Sequence, residues 1–388
     1  IYNSTLFEDL GFLYYGPFDG HDLPALIDIL RTVSQLNRPV LLHLHTAKGK
    51  GYAFAENNPG AFHGVPAFNV TKGLEENQKG DSFSDTFGTT LCRIARKNPR
   101  VCAITAAMQL GTCLTRFRQL YPTRFFDVGI AEEHAITFAG GLAAGGMIPV
   151  CAIYSTFLQR AYDQIIHDAA IQQVKIILAI DRAGIVGEDG ETHQGVFDAA
   201  FLNGIPGVTI FAPSYYDELE YWLEYAISTV PGVSAVRYPR GKSLYLPATY
   251  QFEQKPWSLY GEVSDSVLLV TYGKLFSYAA KAADELRAQG IPVSVLKLNR
   301  IKPLEESVFE TAIKARSVYF FEEGMASGGI GEHFLTQLVQ KGYLKKTFLR
   351  GIGDYFIKHA SMEETLAELG LDTRGIMEAV KNGEGETQ

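Results

Sequence analysis

The sequence predicts two successive α/β domains, the first a doubly wound parallel sheet and the second a smaller α/β domain. Short apolar runs without polar alternation recur along the chain, and helical segments lie between most of them. Strands that are apolar on both faces and alternate with helices are typical of a parallel sheet covered on both sides. A chain of 388 residues is also long enough to form more than one hydrophobic core.

Composition is that of an ordinary globular protein and argues against two classes of partner. Hydrophobic residues make up 46% and charged residues 20% of the chain, which is usual for a water-soluble domain. The formal net charge of -8 disfavours a nucleic acid or an anionic membrane as partner. Four cysteines without zinc-ligand or C-x-x-C spacing are interpreted as reduced thiols of a cytoplasmic protein: Cys92, Cys102, Cys113 and Cys151.

Residues 1–80 are predicted to form a first region that ends in a linker. Asp22 can cap a helix over residues 23 to about 36, and a strand begins at Pro39. From about residue 48 to residue 80 the chain is rich in Gly, Pro, Asn and Lys, which predicts a linker or a long surface crossing.

Residues 81–250 carry the alternation that predicts the larger sheet. One uncharged stretch, Ala135–Gln159, is long enough to cross a membrane. Four glycines and Pro149 interrupt it, so we predict instead a helix that ends at the glycines and then a buried strand. The predicted strands of this region are Val101–Thr105, Phe125–Ile130, Ile148–Tyr154, Val174–Ile180, Val208–Phe211 and Val233–Arg237.

Residues 251–388 are predicted to form the smaller domain. A second polar break, at about Gln251–Gly261, separates it from the larger sheet, and a polar tail follows Lys381. Its predicted strands are Ser266–Thr271, Val293–Leu298, Val318–Phe321 and Phe348–Gly351.

Polar side chains follow the strands of the larger sheet at the end where open α/β sheets bind ligands. Carboxylates, a histidine and three arginines are therefore expected on one rim. Guanidinium groups bind phosphate and carboxylate bidentately, which favours an anionic substrate. The segments are Ala131–His134, Ser155–Arg160, Asp181–Gly195 and Tyr238–Gly241.

Five motifs, in this order along the chain, resemble the 1-deoxy-D-xylulose-5-phosphate synthase family of transketolase-like enzymes. The resemblance covers essentially the whole chain, and the Ala179–Gly195 motif is the most discriminating. The motifs are GPFDGHD (Gly16–Asp22), DVGIAEEHA (Asp127–Ala135), IYSTFLQRAYDQ (Ile153–Gln164), AIDRAGIVGEDGETHQG (Ala179–Gly195) and AVRYPRG (Ala235–Gly241).

The resemblance implies an assignment for each region and an activity. It implies that residues 1–80 are the end of a diphosphate-binding domain plus a linker. It implies that residues 81–250 form a pyrimidine-binding domain and that residues 251–388 form a transketolase C-terminal domain. The implied reaction condenses pyruvate with glyceraldehyde 3-phosphate, with thiamine diphosphate and Mg²⁺ as cofactors. The implied assembly is a homodimer, for which the Gly-rich helix at Ala135–Gly146 is suited.

The resemblance also implies which residues meet the cofactor. Glu132 resembles the glutamate that hydrogen-bonds N1′ of the aminopyrimidine ring, and its neighbour Glu133 is the alternative. Phe157 resembles the aromatic side chain that stacks on that ring. Arg160 and Tyr154 resemble residues around the reacting carbon.

For the substrates, the resemblance implies five further positions or roles. Asp189 and His193 resemble groups around the reacting carbon and the acceptor. Arg182 and Arg240 resemble the pair that binds the acceptor phosphate, and the alternative is that they form interdomain salt bridges. His21 resembles a histidine that transfers protons at the active site.

The sequence departs from the family pattern in two places. The G-D-G motif that binds diphosphate and Mg²⁺ is not found, since Gly80-Asp81-Ser82 lacks the second glycine. We therefore expect the metal ligands to lie outside these 388 residues, and these residues alone to be inactive. The family usually has charged residues after Met108, where this chain has Gln109 and Leu110.

Two other interpretations stay open at this point. The chain could belong to a transketolase or to a 2-oxo-acid dehydrogenase β subunit, although a β subunit has no reason to carry the Gly16–Asp22 motif. It could also be a non-catalytic fragment. Asp163 and His167, four residues apart on the helix after the third strand, are interpreted as a structural pair.

Overall fold

A computed structural model describes residues 5–65, 67–74 and 80–385. The chain divides into two compact units, Ile1–Gln78 and Lys79–Gln388.

The first unit is a small α/β element built around two parallel strands. Strand β1 pairs with β2, and the Asp22 side chain caps α2 by accepting a hydrogen bond from the Ala25 N–H, as predicted. The sequence analysis missed β1 and α1, and the predicted linker contains a short helix. The elements are α1 (Leu6–Asp9), β1 (Leu13–Asp19), α2 (Leu23–Ser34), β2 (Val40–His45) and α3 (Ala53–Asn57).

The second unit contains two sheets, whose strands follow one another along the chain. They are β3 (Val101–Thr105), β4 (Phe125–Asp127), β5 (Ile148–Tyr154), β6 (Ile176–Asp181), β7 (Thr209–Phe211), β8 (Val233–Arg237), β9 (Trp257–Tyr260), β10 (Val267–Tyr272), β11 (Val293–Leu298), β12 (Arg300–Lys302), β13 (Ser317–Met325) and β14 (Thr347–Ile352).

Helices lie between most of these strands. They are α4 (Phe83–Lys97), α5 (Thr115–Leu120), α6 (Glu132–Ala144), α7 (Ser155–Leu158), α8 (Tyr162–Gln164), α9 (Asp198–Asn203), α10 (Tyr216–Ser228), α11 (Leu275–Ala288), α12 (Glu306–Ala312), α13 (Ile330–Gln340), α14 (Met362–Glu368) and α15 (Thr373–Gly385).

The larger sheet has seven strands in the order β12-β7-β8-β6-β5-β3-β4, all parallel except β12. Hydrophobic side chains cover both of its faces, with Phe87 of α4 and Trp222 of α10 on one side and Ile136 of α6 on the other. The predicted doubly wound parallel sheet is confirmed.

The smaller sheet has the order β14-β13-β10-β11-β9, with β9 antiparallel to β11. Strand β9 lies inside Gln251–Gly261, so the prediction of an irregular break there is wrong in part. Strand β12, after β11, pairs antiparallel with β7 of the larger sheet. The sequence analysis missed both short edge strands, because edge strands lack the two-sided apolar pattern.

Four predicted strands have the observed bounds: β3, β5, β8 and β11. The predicted strand Phe125–Ile130 is wrong at its end, because β4 stops at Asp127 and Gly129 then takes a positive φ of 75°. The uncharged stretch splits into α6 and β5 as predicted. No helix among the described residues is both long and apolar enough to span a membrane.

The segment after β5 is irregular, and this corrects one predicted pair. A π-helical turn occupies Ile165–Ala170, so the spacing of residues 163 and 167 is not that of an α-helix. The His167 Nδ1 lies 2.8 Å from Asp168 Oδ1 instead of pairing with Asp163.

Candidate active site

The carboxyl ends of four parallel strands bring the sequence-predicted residues of the second unit to one rim. Tyr154 ends β5 and Asp181 ends β6, and these two residues are neighbours in the sheet register. Glu132 begins α6 after β4, and Arg240 follows β8. The segments that carry the predicted side chains are thus brought to one edge by the sheet itself.

Glu132 is the most buried carboxylate of this rim that carries a predicted role. It lies in the first turn of α6 and is 1% exposed. Arg160 Nη1 donates a hydrogen bond of 2.8 Å to Glu132 Oε1. Among the described residues, Oε2 has no hydrogen-bond partner. A buried carboxylate oxygen that lacks a partner is costly, so its retention indicates that a donor belongs there.

Aromatic rings lie beside this carboxylate. Tyr154 and Phe157 stack with ring centroids 5.9 Å apart, and His193 meets Phe157 edge-on at 5.3 Å. The Arg160 guanidinium lies 4.9 Å from the Phe157 ring centroid. Arg160 therefore links the carboxylate to the aromatic group, and the rings form a flat apolar surface of the kind on which a heteroaromatic ring can stack.

Arg182 is held on several sides. Its Nη1 donates hydrogen bonds to Asp181 Oδ1 at 3.0 Å and to the Gly111 carbonyl at 3.1 Å. Its guanidinium carbon lies 3.8 Å from the centroid of the Tyr154 ring. Arg182 also has a φ of +59°, a strained conformation for a residue with a side chain, and such strain is concentrated at functional sites.

Asp189 lies between two arginines. Its Oδ1 is 3.1 Å from Arg240 Nη1, and its Oδ2 is 3.8 Å from Arg182 Nε. Arg240 Nη1 also donates to the Val186 carbonyl at 3.2 Å. The two guanidinium groups thus share one carboxylate, and a phosphate could take the place of that carboxylate.

Burial changes the acidity of two groups at the rim. Desolvation raises the pKa of Tyr154 to about 12, against the opposing effect of Arg182. Desolvation also raises the pKa of Asp181 to about 6, although Arg182 and the Ser84 hydroxyl favour its ionised form. Tyr154 is therefore a neutral hydrogen-bonding group at physiological pH.

The two histidines that the sequence analysis proposed lie in different units. His193 is half-buried, and its Nδ1 lies 2.9 Å from the Thr192 hydroxyl. His21 belongs to the first unit, where its Nε2 accepts a hydrogen bond of 2.7 Å from the Ala47 N–H. The proton-transfer role of His21 stays a prediction.

Sequence reasoning missed two groups that hold the predicted residues in place. Asp181 binds Arg182, and the Gly111 carbonyl accepts from the same guanidinium. A side chain at position 111 would collide with the Tyr154 hydroxyl. The loop position of Gly111 held no signal, whereas a carboxylate ending an apolar strand could have identified Asp181.

A metal site is a separate question. Within residues 5–65, 67–74 and 80–385, no group of three or more His, Cys, Asp or Glu side chains is placed to hold a metal ion.

Three family models match the chain in succession. Residues 1–46 match the model described as 1-deoxy-D-xylulose-5-phosphate synthase. Residues 80–244 match the transketolase pyrimidine-binding domain, and residues 260–376 match the transketolase C-terminal domain.

The chain belongs to the 1-deoxy-D-xylulose-5-phosphate synthase family. It is 43% identical over 383 residues to the synthase of Caldanaerobacter subterraneus, covering 97% of this chain and 61% of that protein. It is 43% identical over 385 residues to synthase 1 of Geobacter sulfurreducens, with 97% and 60% covered. For the synthase of Natranaerobius thermophilus, the identity is 45% over 388 residues, with 98% and 61% covered. The chain thus spans about 60% of the length of these curated relatives.

Two solved structures are similar in fold. One is described as a split-gene transketolase in an inactive β4 tetramer, with a TM-score of 0.67 at 25% identity, covering 78% of this chain and 98% of that one. The other is the transketolase of Campylobacter jejuni, with a TM-score of 0.65 at 16% identity, covering 97% of this chain and 68% of that one. Both support the transketolase architecture of the second unit.

Proposed function

We propose that this chain is part of a transferase that condenses pyruvate with D-glyceraldehyde 3-phosphate, with loss of CO2, to give 1-deoxy-D-xylulose 5-phosphate. That product begins non-mevalonate isoprenoid synthesis and feeds thiamine and pyridoxal synthesis. The observation that carries the proposal is the pairing of two elements on one rim. These are a buried carboxylate suited to the cofactor ring and an arginine pair suited to a phosphate.

The residues present fit thiamine diphosphate. When bound, this cofactor supplies a carbon nucleophile that accepts pyruvate and stabilises the negative charge left by loss of CO2. Glu132 Oε2, buried and without a partner in the described part of the chain, can accept a proton-bearing ring nitrogen. Arg160 orients the carboxylate through Oε1, and Phe157 offers its ring for stacking.

The acceptor end of the site is assigned to the two arginines. Arg182 and Arg240 both approach the Asp189 carboxylate, so the acceptor phosphate can bind both guanidinium groups in its place. His193 and Asp189 are positioned to exchange protons with, or hydrogen-bond to, the hydroxyl and carbonyl groups of the reacting carbons. Tyr154, neutral because of its raised pKa, can donate a hydrogen bond beside them.

Four further proposals complete the function. Mg²⁺ would be held by residues outside this chain, and His21 would transfer protons in the assembled site. We place the protein in the cytoplasm, with no nucleic-acid or membrane partner, on the basis of its negative charge. The domain boundaries at residues 80 and 250 also stay proposals.

We propose that the complete enzyme is a homodimer that uses helix α6. Gly140 packs against the Asp168 carbonyl within the chain, whereas no atom lies within 4 Å of a side chain built at Gly141. Ile130, just before the helix, is 80% exposed. An open glycine beside an exposed apolar residue suits close packing of a second copy. Sedimentation equilibrium at micromolar concentration should give the dimer mass, and a monomer would refute this proposal.

The reaction is tested by supplying the complete enzyme with pyruvate, D-glyceraldehyde 3-phosphate, thiamine diphosphate and Mg²⁺. The expected result is formation of 1-deoxy-D-xylulose 5-phosphate together with equimolar CO2. A parallel assay with a ketose phosphate donor in place of pyruvate distinguishes a transketolase. Product from the ketose donor alone would overturn the proposal in favour of transketolase, and turnover of neither donor would favour a non-catalytic role.

A further inference from the structure

Asp181 is a fully buried carboxylate that none of the roles proposed above uses. It ends β6 and is 0% exposed. The Ser84 hydroxyl of α4 donates a hydrogen bond of 2.7 Å to its Oδ2, and Arg182 Nη1 donates one of 3.0 Å to its Oδ1. A buried charge is costly unless it is paired, so this carboxylate is retained where it meets its partners.

Its partner Arg182 has one side towards the protein interior and one towards the rim. Asp181, the Gly111 carbonyl and the Tyr154 ring contact the guanidinium from within. On the other side Asp189 is the more distant neighbour, at 3.8 Å from Nε. Arg182 is 16% exposed, so few alternative orientations are open to it.

The contact between Asp181 and Arg182 spans a strained backbone. With a φ of +59°, Arg182 turns sharply at the end of β6, and such a conformation persists only where the surroundings hold it. The ion pair and the Gly111 carbonyl supply that restraint. The same two contacts determine the direction in which the free N–H groups of Arg182 point.

We propose that Asp181 is a positioning residue for the acceptor phosphate. Its buried carboxylate orients the Arg182 guanidinium so that, with Arg240, it receives the phosphate. This inference rests on the proposed function, because the phosphate belongs to the proposed acceptor. Asp181 itself touches neither substrate nor cofactor.

The proposal has a consequence for pH dependence. The groups that face Asp181 are Ser84 of α4, Cys113 before α5, Tyr154 of β5, Arg182, and Tyr238 after β8. Of these, Arg182 alone carries a charge near neutral pH. Burial raises the pKa of Asp181 to about 6. Below that pH the carboxyl becomes neutral and Arg182 loses its buried counter-charge, so acceptor binding should weaken as pH falls.

The test uses Asp181→Asn in the complete enzyme, because Asn keeps the volume and removes the charge. The KM for glyceraldehyde 3-phosphate should rise about 10- to 100-fold, the value of a hydrogen bond to a charged group. The KM for pyruvate and kcat should change less than about twofold. The acid limb of the kcat/KM profile for the acceptor should also shift relative to the wild type. The substrate phosphate titrates in both proteins, so the difference between them reports Asp181.

A matched control is Asp198→Asn, which breaks another buried carboxylate–arginine pair. Asp198 receives hydrogen bonds of 2.8 and 3.1 Å from Arg237. This variant should lower stability without raising the acceptor KM selectively. If both variants raise both KM values alike, or if the acceptor KM is unchanged in Asp181→Asn, the positioning role is wrong.

Two further measurements keep the test decisive. If Asp181→Asn does not fold, Ser84→Ala removes one hydrogen bond and keeps the carboxylate, and it should raise the acceptor KM alone by roughly 3- to 10-fold. An unchanged KM there refutes the inference. Calorimetric titration with inorganic phosphate needs no turnover. A wild type that forms no product but binds phosphate more tightly than Asp181→Asn contradicts the proposed reaction and supports the positioning role.

Discussion

Replacing Arg240 with alanine tests whether the arginine pair recognises the acceptor phosphate. The Arg240 side chain is 37% exposed, and its Nη1 lies 3.1 Å from Asp189 Oδ1 and 3.2 Å from the Val186 carbonyl. If the phosphate replaces the Asp189 carboxylate, Arg240→Ala removes one charged contact and leaves Arg182 to bind the phosphate alone.

The magnitude follows from this geometry. A hydrogen bond to a charged group contributes about 1.5–3 kcal/mol, and partial exposure favours the lower half of that range because solvent screens the charge. A loss of about 1.5–2 kcal/mol corresponds to roughly 10- to 30-fold in kcat/KM. The loss should be present for glyceraldehyde 3-phosphate and largely absent for D-glyceraldehyde, which has no phosphate.

The assay compares kcat/KM for the two aldehydes at saturating pyruvate in the complete enzyme. Lys242→Ala is the matched control, because it also removes one positive charge two residues away. Lys242 is 71% exposed and lies 3.5 Å from Asp81, so its loss should change neither value by more than about twofold. Equal impairment of both aldehydes by Arg240→Ala would mean that Arg240 is structural or acts on pyruvate.

Two other predictions concern buried carboxylates. Glu132→Gln keeps the shape but loses the charge beside the cofactor ring, so hydrogen exchange at the reactive carbon of bound thiamine diphosphate should slow by on the order of 10³-fold or more. Exposed Glu133→Gln should leave that exchange unchanged, and the reverse pattern would transfer the role to Glu133. Burial raises the pKa of Glu322 from 4.5 to about 7, so the folded state holds a proton that the unfolded state releases, and stability should fall as pH rises from about 4.5 to about 7. That loss, on the order of 3 kcal/mol, should be absent from Glu322→Gln in denaturant titrations, and an unchanged pH slope would show that Glu322 does not titrate there.

Much of the candidate site could be predicted from the sequence because its residues follow recognisable strands. Glu132, Tyr154, Arg182 and Arg240 each lie close after, or at the end of, an apolar run, and parallel strands bring their carboxyl ends to one edge. The resemblance to a known family then suggested a role for each. The role assignments stay predictions, whereas the meeting of Arg182, Asp189 and Arg240 is observed.

The sequence by itself determined the fold class and the bounds of the central strands. Runs such as Val101–Thr105 and Ile148–Tyr154 are buried on both faces, so hydrophobic burial alone defines their ends. Only the tertiary structure decided how distant segments pair: β12 joins β7 across about ninety residues, and Ser84 reaches Asp181. These contacts depend on how helices and strands pack in three dimensions. A polar residue in the sequence carries no local signal of which distant group will satisfy it once both are buried.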